Sequence, residues 1–154
     1  MKLQFKITLF FSIVIVALVI IMGALFFGHL EATLDKQLAL NALDAAQGVA
    51  SMPTIQEALS SHEQMDRIQE VVEAYRLKTR FQYMIVIDMK GIQYAYPYPS
   101  GLGKPYKNGG ESRVLEKGEA YFNKDENALI QAVRAFVPVY DKGKQVGAVV
   151  VGIL

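Results

Sequence analysis

The sequence predicts an α+β domain, in which helices come first and a mostly antiparallel five-stranded sheet follows, preceded by one transmembrane helix. Three observations lead to this prediction: an uncharged apolar run at 7–27, apolar residues at helical spacing over 30–78, and short β-branched runs between turns from residue 82 onwards. About 125 of the 154 residues follow the apolar run, a length that suits one domain.

The apolar run at 7–27 has 21 residues and no charge. About 20 apolar residues cross the bilayer core as a helix, whereas a cleaved signal peptide has an apolar region of only about 7 to 15. Lys2 and Lys6 precede the run, so the positive-inside rule places 1–6 in the cytoplasm and 28–154 outside it. We therefore expect a single-pass membrane segment, with cleavage as the weaker alternative.

The charge and composition of the outer part exclude several classes of protein. Two of the 16 Lys and Arg residues precede the apolar run, which leaves 14 against 15 Asp and Glu with both signs interspersed. A nucleic-acid partner calls for a basic patch or stripe, so none is expected. The chain has no cysteine, and His29 and His62 lie far apart, so we expect no disulfide, metal, cofactor or catalytic residue. A site built of carboxylates alone stays open, although no spacing predicts one.

Two main helices are predicted before the sheet. Residues 30–52 carry leucine, alanine and valine at helical spacing, and Gly28 is the only glycine or proline between them and the membrane run, so the two segments can form one continuous helix. Such a helix suits transmission of a displacement to the membrane, or a dimer seam without a signalling role. Pro53 ends it, 54–61 form one or two further turns, and an apolar stripe predicts the second helix over about 61–78.

After Arg80 the sequence changes to alternating and β-branched runs. The segments 82–88 and 92–96 form a predicted hairpin around a Met-Lys-Gly turn. Three further strands are predicted at 119–123, 128–141 and 145–154, the last two joined by a tight turn. Residues 91–106 are rich in tyrosine and proline, which is the composition of a shaped loop, and we interpret this loop as the wall of a pocket.

The segments YMIVIDMKGIQYAYP, GLGKPY and AVRAFVPVYDKGKQVGAVVVGIL resemble, in this order and spacing, the extracytoplasmic PAS-like domain of bacterial citrate and C4-dicarboxylate sensor histidine kinases. The resemblance covers about 55–154. It implies a ligand-sensing input domain in the bacterial cell membrane, a homodimer, and a response regulator reached through a cytoplasmic kinase region. In that family a second transmembrane helix and the kinase core follow the last strand, so we expect the chain to be a fragment of a longer receptor.

The resemblance also implies which residues face the ligand. Arg134 matches an arginine of the family pocket, and Phe136 lies two residues on and on the same strand face. Tyr106 matches an aromatic position that lines the pocket, and Lys107 lies beside it. The alternatives are that Arg134 pairs with an acidic neighbour and that Lys107 is a solvated loop charge.

Three positions depart from the family pattern. Members that bind citrate or dicarboxylates place an arginine where Gln93 stands and a histidine where Tyr96 stands, and commonly a serine or threonine near Ala128. Each charge-assisted bond lost is worth roughly 1.5 to 3 kcal/mol, so a monocarboxylate, an amino acid or an uncharged molecule suits these residues better than citrate does. A PAS-like module that serves only dimerisation or protein contact is the alternative function, and a chemoreceptor or cyclic-dinucleotide enzyme is an alternative parent protein.

Overall fold

The computed structural model describes residues 2–61, 65–79, 81–95, 97–125 and 132–153. Contacts divide the chain into two compact units, Met1–Gln37 and Leu38–Leu154. The first helix, α1, spans Lys2–Ala50 and contains both the predicted membrane run and most of the predicted helix over 30–52. Its segment Gln4–Phe26 has 23 residues and a mean hydropathy of 3.0, and is long and apolar enough to cross a membrane.

Two shorter helices follow α1. Helix α2, Pro53–Ser61, begins with proline at its first position. Proline is tolerated there because an N–H in the first turn of a helix makes no hydrogen bond within the helix. Helix α3 spans Met65–Thr79. The predicted start of the second main helix at Ser61 is wrong, because Ser61 is the last residue of α2; residues 62–64 lie outside the described part of the chain.

The five predicted strands form one sheet in which every neighbouring pair is antiparallel, as predicted. Their order across the sheet is β2-β1-β5-β4-β3, so the fifth strand lies in the centre. Their bounds are Tyr83–Asp88 for β1, Gln93–Ala95 for β2, Tyr121–Asp125 for β3, Ala132–Asp141 for β4 and Lys144–Ile153 for β5.

The strands differ from their predicted bounds mainly at β2, β3 and β4. Strand β2 has three residues, and an irregularity in its pairing with β1 falls between Val86 and Ile87. Strand β3 begins two residues later than predicted, and β4 is described from Ala132 because 126–131 lie outside the described residues.

The sequence did not reveal two short elements between β2 and β3. One is a 3-10 turn at Pro99–Gly101, and the other is helix α4, Glu111–Lys117. Helix α4 ends at Gly118, whose φ of 64° is left-handed and whose N–H donates to the Val114 carbonyl. At seven residues it is too short to show an apolar stripe.

The two faces of the sheet carry different cores, because alternate residues of a strand point to opposite faces. One face packs against α1, α2 and α3 through residues such as Val86, Val137 and Val149. The opposite face, called the loop face below, carries Ile85, Ile87, Phe136, Ala148 and Val150, and is covered by Tyr106 and by Val114 of α4. The candidate site lies on the loop face.

Candidate functional site

Strand register sets the floor of the site. Arg134 of β4 pairs with Gly152 of β5, which pairs with Tyr83 of β1. A Cβ on Gly152 would lie 2.0 Å from Cζ of Tyr83, so the tyrosine ring lies over the glycine. The absence of a side chain at Gly152 therefore lets the ring extend across β5 on the side of Arg134.

A second row of paired residues brings aromatic rings beside the first. Phe136 pairs with Tyr121 of β3, and the two rings stack with centroids 4.8 Å apart and planes inclined by 7°. Gly110 crosses these rings, since a Cβ there would lie 2.9 Å from both Phe136 Cζ and Tyr121 Oη. The Tyr121 hydroxyl donates to the Gly110 carbonyl, and the Arg113 guanidinium lies 4.7 Å from the Tyr121 ring centroid. The double glycine before α4 thus lets the loop approach the rings.

Backbone hydrogen bonds hold the covering loop onto the edge strand β2. The Gln93 N–H donates to the Lys104 carbonyl at 3.0 Å, and the Gly103 N–H donates to the Gln93 carbonyl at 2.9 Å. The Tyr106 N–H donates to the Gly91 carbonyl at 2.8 Å. These bonds place the Tyr106 ring, which is 6% exposed, over the loop face.

Arg134 and Tyr106 approach each other between the sheet and the loop. Nη1 of Arg134 donates to the Asn108 carbonyl at 2.6 Å, two residues beyond Tyr106. Burial raises the pKa of Tyr106 to about 12, while the nearby Arg134 guanidinium opposes the rise, and Tyr83 and Glu111 add to it. The four side chains therefore lie close enough to influence one another.

Three buried polar side-chain atoms lack a hydrogen-bond partner among the described residues. They are Gln93 Oε1, Tyr106 Oη and Glu111 Oε2. Buried polar atoms in folded proteins are almost always paired, so a group of three asks for an explanation such as a bound molecule or water. Gln93 adjoins Tyr106 through the loop, because its Nε2 lies 3.3 Å from the carbonyl oxygens of Lys104 and Pro105.

The structure brings four of the six predicted site residues to this region. Arg134 and Phe136 lie on the floor, Tyr106 lies in the cover, and Gln93 joins the cover to the sheet edge. Lys107 is exposed. Tyr96, like Ala128, lies outside the described residues. Ligand contact by any of the six stays a prediction.

Sequence reasoning missed Tyr83, Glu111 and Tyr121. Tyr83 and Tyr121 reach the site through strand pairing, which the sequence does not specify. Glu111 reaches it through the short helix α4. A double glycine followed by a glutamate was the available signal, because an acidic residue is favourable in the first turn of a helix.

A second cleft of about 520 Å³ lies toward the other end of β1. The turns after β1 and β4 line it together with Ser60 of α2, which donates to Asp141 Oδ2 at 2.6 Å. Asp88 belongs to its wall, but Asp88 Oδ1 accepts from the N–H groups of Lys90 and Ile92 at 2.8 Å and so forms part of a turn. None of the predicted site residues lines this cleft, and we assign it no function.

Tyr106 is expected to show its burial in an alkaline titration. Its pKa in the folded chain, about 12, exceeds the usual 10, so folding keeps the phenol protonated and the free energy of unfolding falls as pH rises from 10 to 12. The loss due to Tyr106 is roughly 2 to 3 kcal/mol. Ultraviolet absorbance of tyrosinate, compared between the native chain and Tyr106→Phe, checks this. If the tyrosine missing from the Tyr106→Phe titration is one with a pKa near 10, the described burial of Tyr106 is contradicted.

The fold and the site together define the class of protein. An antiparallel sheet with helices on one face and a loop covering the other is the arrangement of a PAS-like sensor domain. Residues 29–154 match the family model described as single cache domain 3, and the chain belongs to this family.

Relatives with known names agree with this assignment. The chain is 34% identical over 146 residues to the sensor protein CitS of Halalkalibacterium halodurans, which covers 94% of this chain and 27% of CitS. It is 30% identical over 154 residues to the sensor histidine kinase DcuS of Escherichia coli K12, which covers 99% of this chain and 28% of DcuS. The chain thus spans little more than a quarter of the length of these curated relatives. The resemblance to citrate and C4-dicarboxylate sensor kinases is confirmed.

Solved structures support the same fold. The crystal structure of the E. coli DcuS sensor domain superposes with a TM-score of 0.68 at 32% identity, covering 77% of this chain and 90% of that one. The sensor domain of the Vibrio cholerae histidine kinase DctB superposes with a TM-score of 0.61 at 18% identity, covering 83% of this chain and 51% of that one, and supports the fold alone.

Proposed function

We propose that residues 28–154 form the extracytoplasmic ligand-sensing input domain of a membrane-bound sensor histidine kinase. The proposed ligand is a small carboxylate or related metabolite, bound between Arg134 and the loop that carries Tyr106. The observation that carries this proposal is that the Arg134 guanidinium, the buried Tyr106 hydroxyl and Glu111 lie near one another under that loop. The relatives named CitS and DcuS as sensors, and the apolar segment Gln4–Phe26, support the membrane setting.

Arg134 is the natural partner for a carboxylate. Its planar guanidinium presents N–H donors in a fork that matches the two oxygens of a carboxylate. A ligand carboxylate beside it would also meet the Tyr106 hydroxyl, which the Arg134 charge already reaches. Binding of this kind ties β4 to the loop and adds contacts that the unliganded chain lacks.

Signal transmission is proposed to run through α1. This helix contains both the apolar segment and a buried, alanine-rich stretch that packs against the sensor sheet. A ligand biases the output only as far as it binds one state more tightly than another. The homodimer and the response regulator belong to this proposal, the latter through a cytoplasmic part of the full receptor.

A contact module without a small ligand is the second candidate function. One observation favours it: the Gln93 amide donates to the Lys104 and Pro105 carbonyls, so at this position the loop is fastened to the sheet by the protein itself. A domain closed in this way needs no ligand to order its cover.

Thermal unfolding of the 154-residue chain in detergent micelles separates the two candidates. The panel contains mono-, di- and tricarboxylates, amino acids and neutral metabolites. A ligand at about 100 times its dissociation constant should stabilise the sensor domain by about 2.7 kcal/mol, a shift of several degrees. A panel without any shift would contradict the sensor proposal and favour the contact module.

A further inference from the structure

Two of the three buried atoms without a partner are hydrogen-bond acceptors only. Gln93 Oε1 is an amide oxygen and Glu111 Oε2 is a carboxylate oxygen, and neither has a donor among the described residues. The third atom, the Tyr106 hydroxyl oxygen, both donates and accepts. A ligand that satisfies this set must bring hydrogen-bond donors as well as a carboxylate.

The orientation of the Gln93 amide is fixed by its neighbours. Its Nε2 faces the carbonyl oxygens of Lys104 and Pro105, each at 3.3 Å. A flipped amide would set Oε1 against two other acceptors, so the observed orientation is the favourable one. Gln93 is only 7% exposed, and its oxygen is therefore a buried acceptor held in place by the covering loop.

Glu111 brings a negative group to the same region. It lies at the start of α4, directly after the glycine that crosses the Phe136 and Tyr121 rings. Its charge acts on the hydroxyls of both Tyr106 and Tyr121, as the charge of Arg134 does with opposite sign. Arg134 and Glu111 thus place a positive and a negative group near the same two phenols, and Arg113 adds a second positive group at Tyr121 alone.

We infer that the ligand is a small carboxylic acid that also carries an ammonium group, that is, an amino acid. Its carboxylate meets the Arg134 guanidinium, and its ammonium group donates to Glu111 Oε2, the buried carboxylate oxygen without a partner among the described residues. This inference rests on the proposed sensing function of the same pocket and specifies the class of ligand.

The same arrangement selects against dicarboxylates. A second carboxylate carries acceptors only, so near Glu111 it would face like charge and an unpaired oxygen atom. A monocarboxylate without the ammonium group would satisfy Arg134 but leave the buried Glu111 oxygen unpaired, which is costly. The pocket therefore distinguishes an amino acid from its deaminated counterpart by about tenfold or more.

Isothermal titration of the 154-residue chain in detergent tests this with matched probes. Each common L-amino acid, together with β-alanine and γ-aminobutyrate, is compared with its deaminated acid, and succinate and fumarate serve as dicarboxylates. The expected result is that at least one amino acid binds, and that its deaminated acid binds at least tenfold more weakly. This comparison uses the unaltered chain and so does not depend on any variant folding.

The variant Glu111→Gln removes the negative charge while keeping the size of the side chain. It is expected to weaken binding of the amino acid at least tenfold. Glu116→Gln makes the same change at an exposed position of the same helix and is expected to leave the affinity unchanged.

Two other outcomes would overturn the inference, and they differ for the proposed function. If a dicarboxylate or a deaminated acid binds as tightly as any amino acid, and Arg134→Ala abolishes that binding, the inference falls while the carboxylate-sensing function stands. If no probe of any class binds, the amino-acid inference and the proposed sensing function are both contradicted.

Discussion

Replacing Arg134 by alanine is expected to weaken binding of a carboxylate ligand by about ten- to one-hundred-fold. A hydrogen bond to a charged group contributes roughly 1.5 to 3 kcal/mol, and every 1.4 kcal/mol is a factor of ten in affinity. The substitution also removes the bond from Nη1 to the Asn108 carbonyl, which helps hold the covering loop. Isothermal titration of the variant and the unaltered chain with the same ligand measures the loss.

Two further variants define what the Arg134 result means. Arg134→Lys keeps the charge but loses the planar fork, so an intermediate affinity is expected. Arg113→Ala removes a guanidinium that lies over the Tyr121 ring and pairs with Glu119 at 3.2 Å, with its side chain 54% exposed. The affinity of the Arg113→Ala variant for the ligand should change little. If Arg134→Ala and Arg113→Ala lose the same amount of ligand affinity, the effect is due to positive charge in general. A specific contact between Arg134 and the ligand is then contradicted.

Gly147→Ala is expected to lower the free energy of unfolding of the sensor unit by about 3 kcal/mol. A Cβ at Gly147 would lie 2.2 Å from the Ile87 carbonyl oxygen and 3.1 Å from Leu59 Cδ1. The oxygen belongs to the backbone of β1, which is paired with β5 along its whole length and has no freedom to withdraw. Overpacking of a core typically costs about 1 to 3 kcal/mol, and a backbone clash lies at the upper end.

Gly48→Ala is the matched control for Gly147→Ala. Its Cβ would lie 2.7 Å from the Tyr75 hydroxyl, which is the end of a flexible side chain and can move aside. Alanine is also favoured over glycine inside a helix by about 1 kcal/mol, which offsets the contact. Thermal unfolding followed by circular dichroism should show a much lower midpoint for Gly147→Ala only. Similar midpoints for the two variants would contradict the described packing of β5 against β1.

The order of elements could be predicted from sequence because it depends on local patterns. The uncharged run at 7–27 and the apolar, β-branched runs at 82–88 and 145–154 can each be recognised from their own residues. Helix α4 could not be predicted in the same way, because seven residues with Val114 as the buried anchor show no period. The boundary between α2 and α3 was misplaced because serine is common both at helix starts and at helix ends.

The site could be predicted only in part, for a different physical reason. Arg134 and Phe136 share a strand face, so their proximity follows from the spacing alone. The approach of Tyr83 to Arg134 depends on the pairing of both with Gly152, and register between distant strands is not written in either segment. For Gln93 the sequence indicated a lost cation, but the direction of the amide, with its nitrogen on the loop and its oxygen left over, depends on the folded loop.

The central position of β5 also bears on how the domain is assembled. Strand β5 comes after the other four in the chain, yet it joins the β1–β2 pair to the β3–β4 pair. Before β5 is in place, the edges of β1 and β4 that it will cover are open, and their N–H and C=O groups are available to other chains. Pairing Tyr83 with Gly152 closes a long stretch of chain, which is a slow step in folding. Until Lys144–Ile153 is inserted between them, the two half-sheets expose unpaired strand edges that favour aggregation.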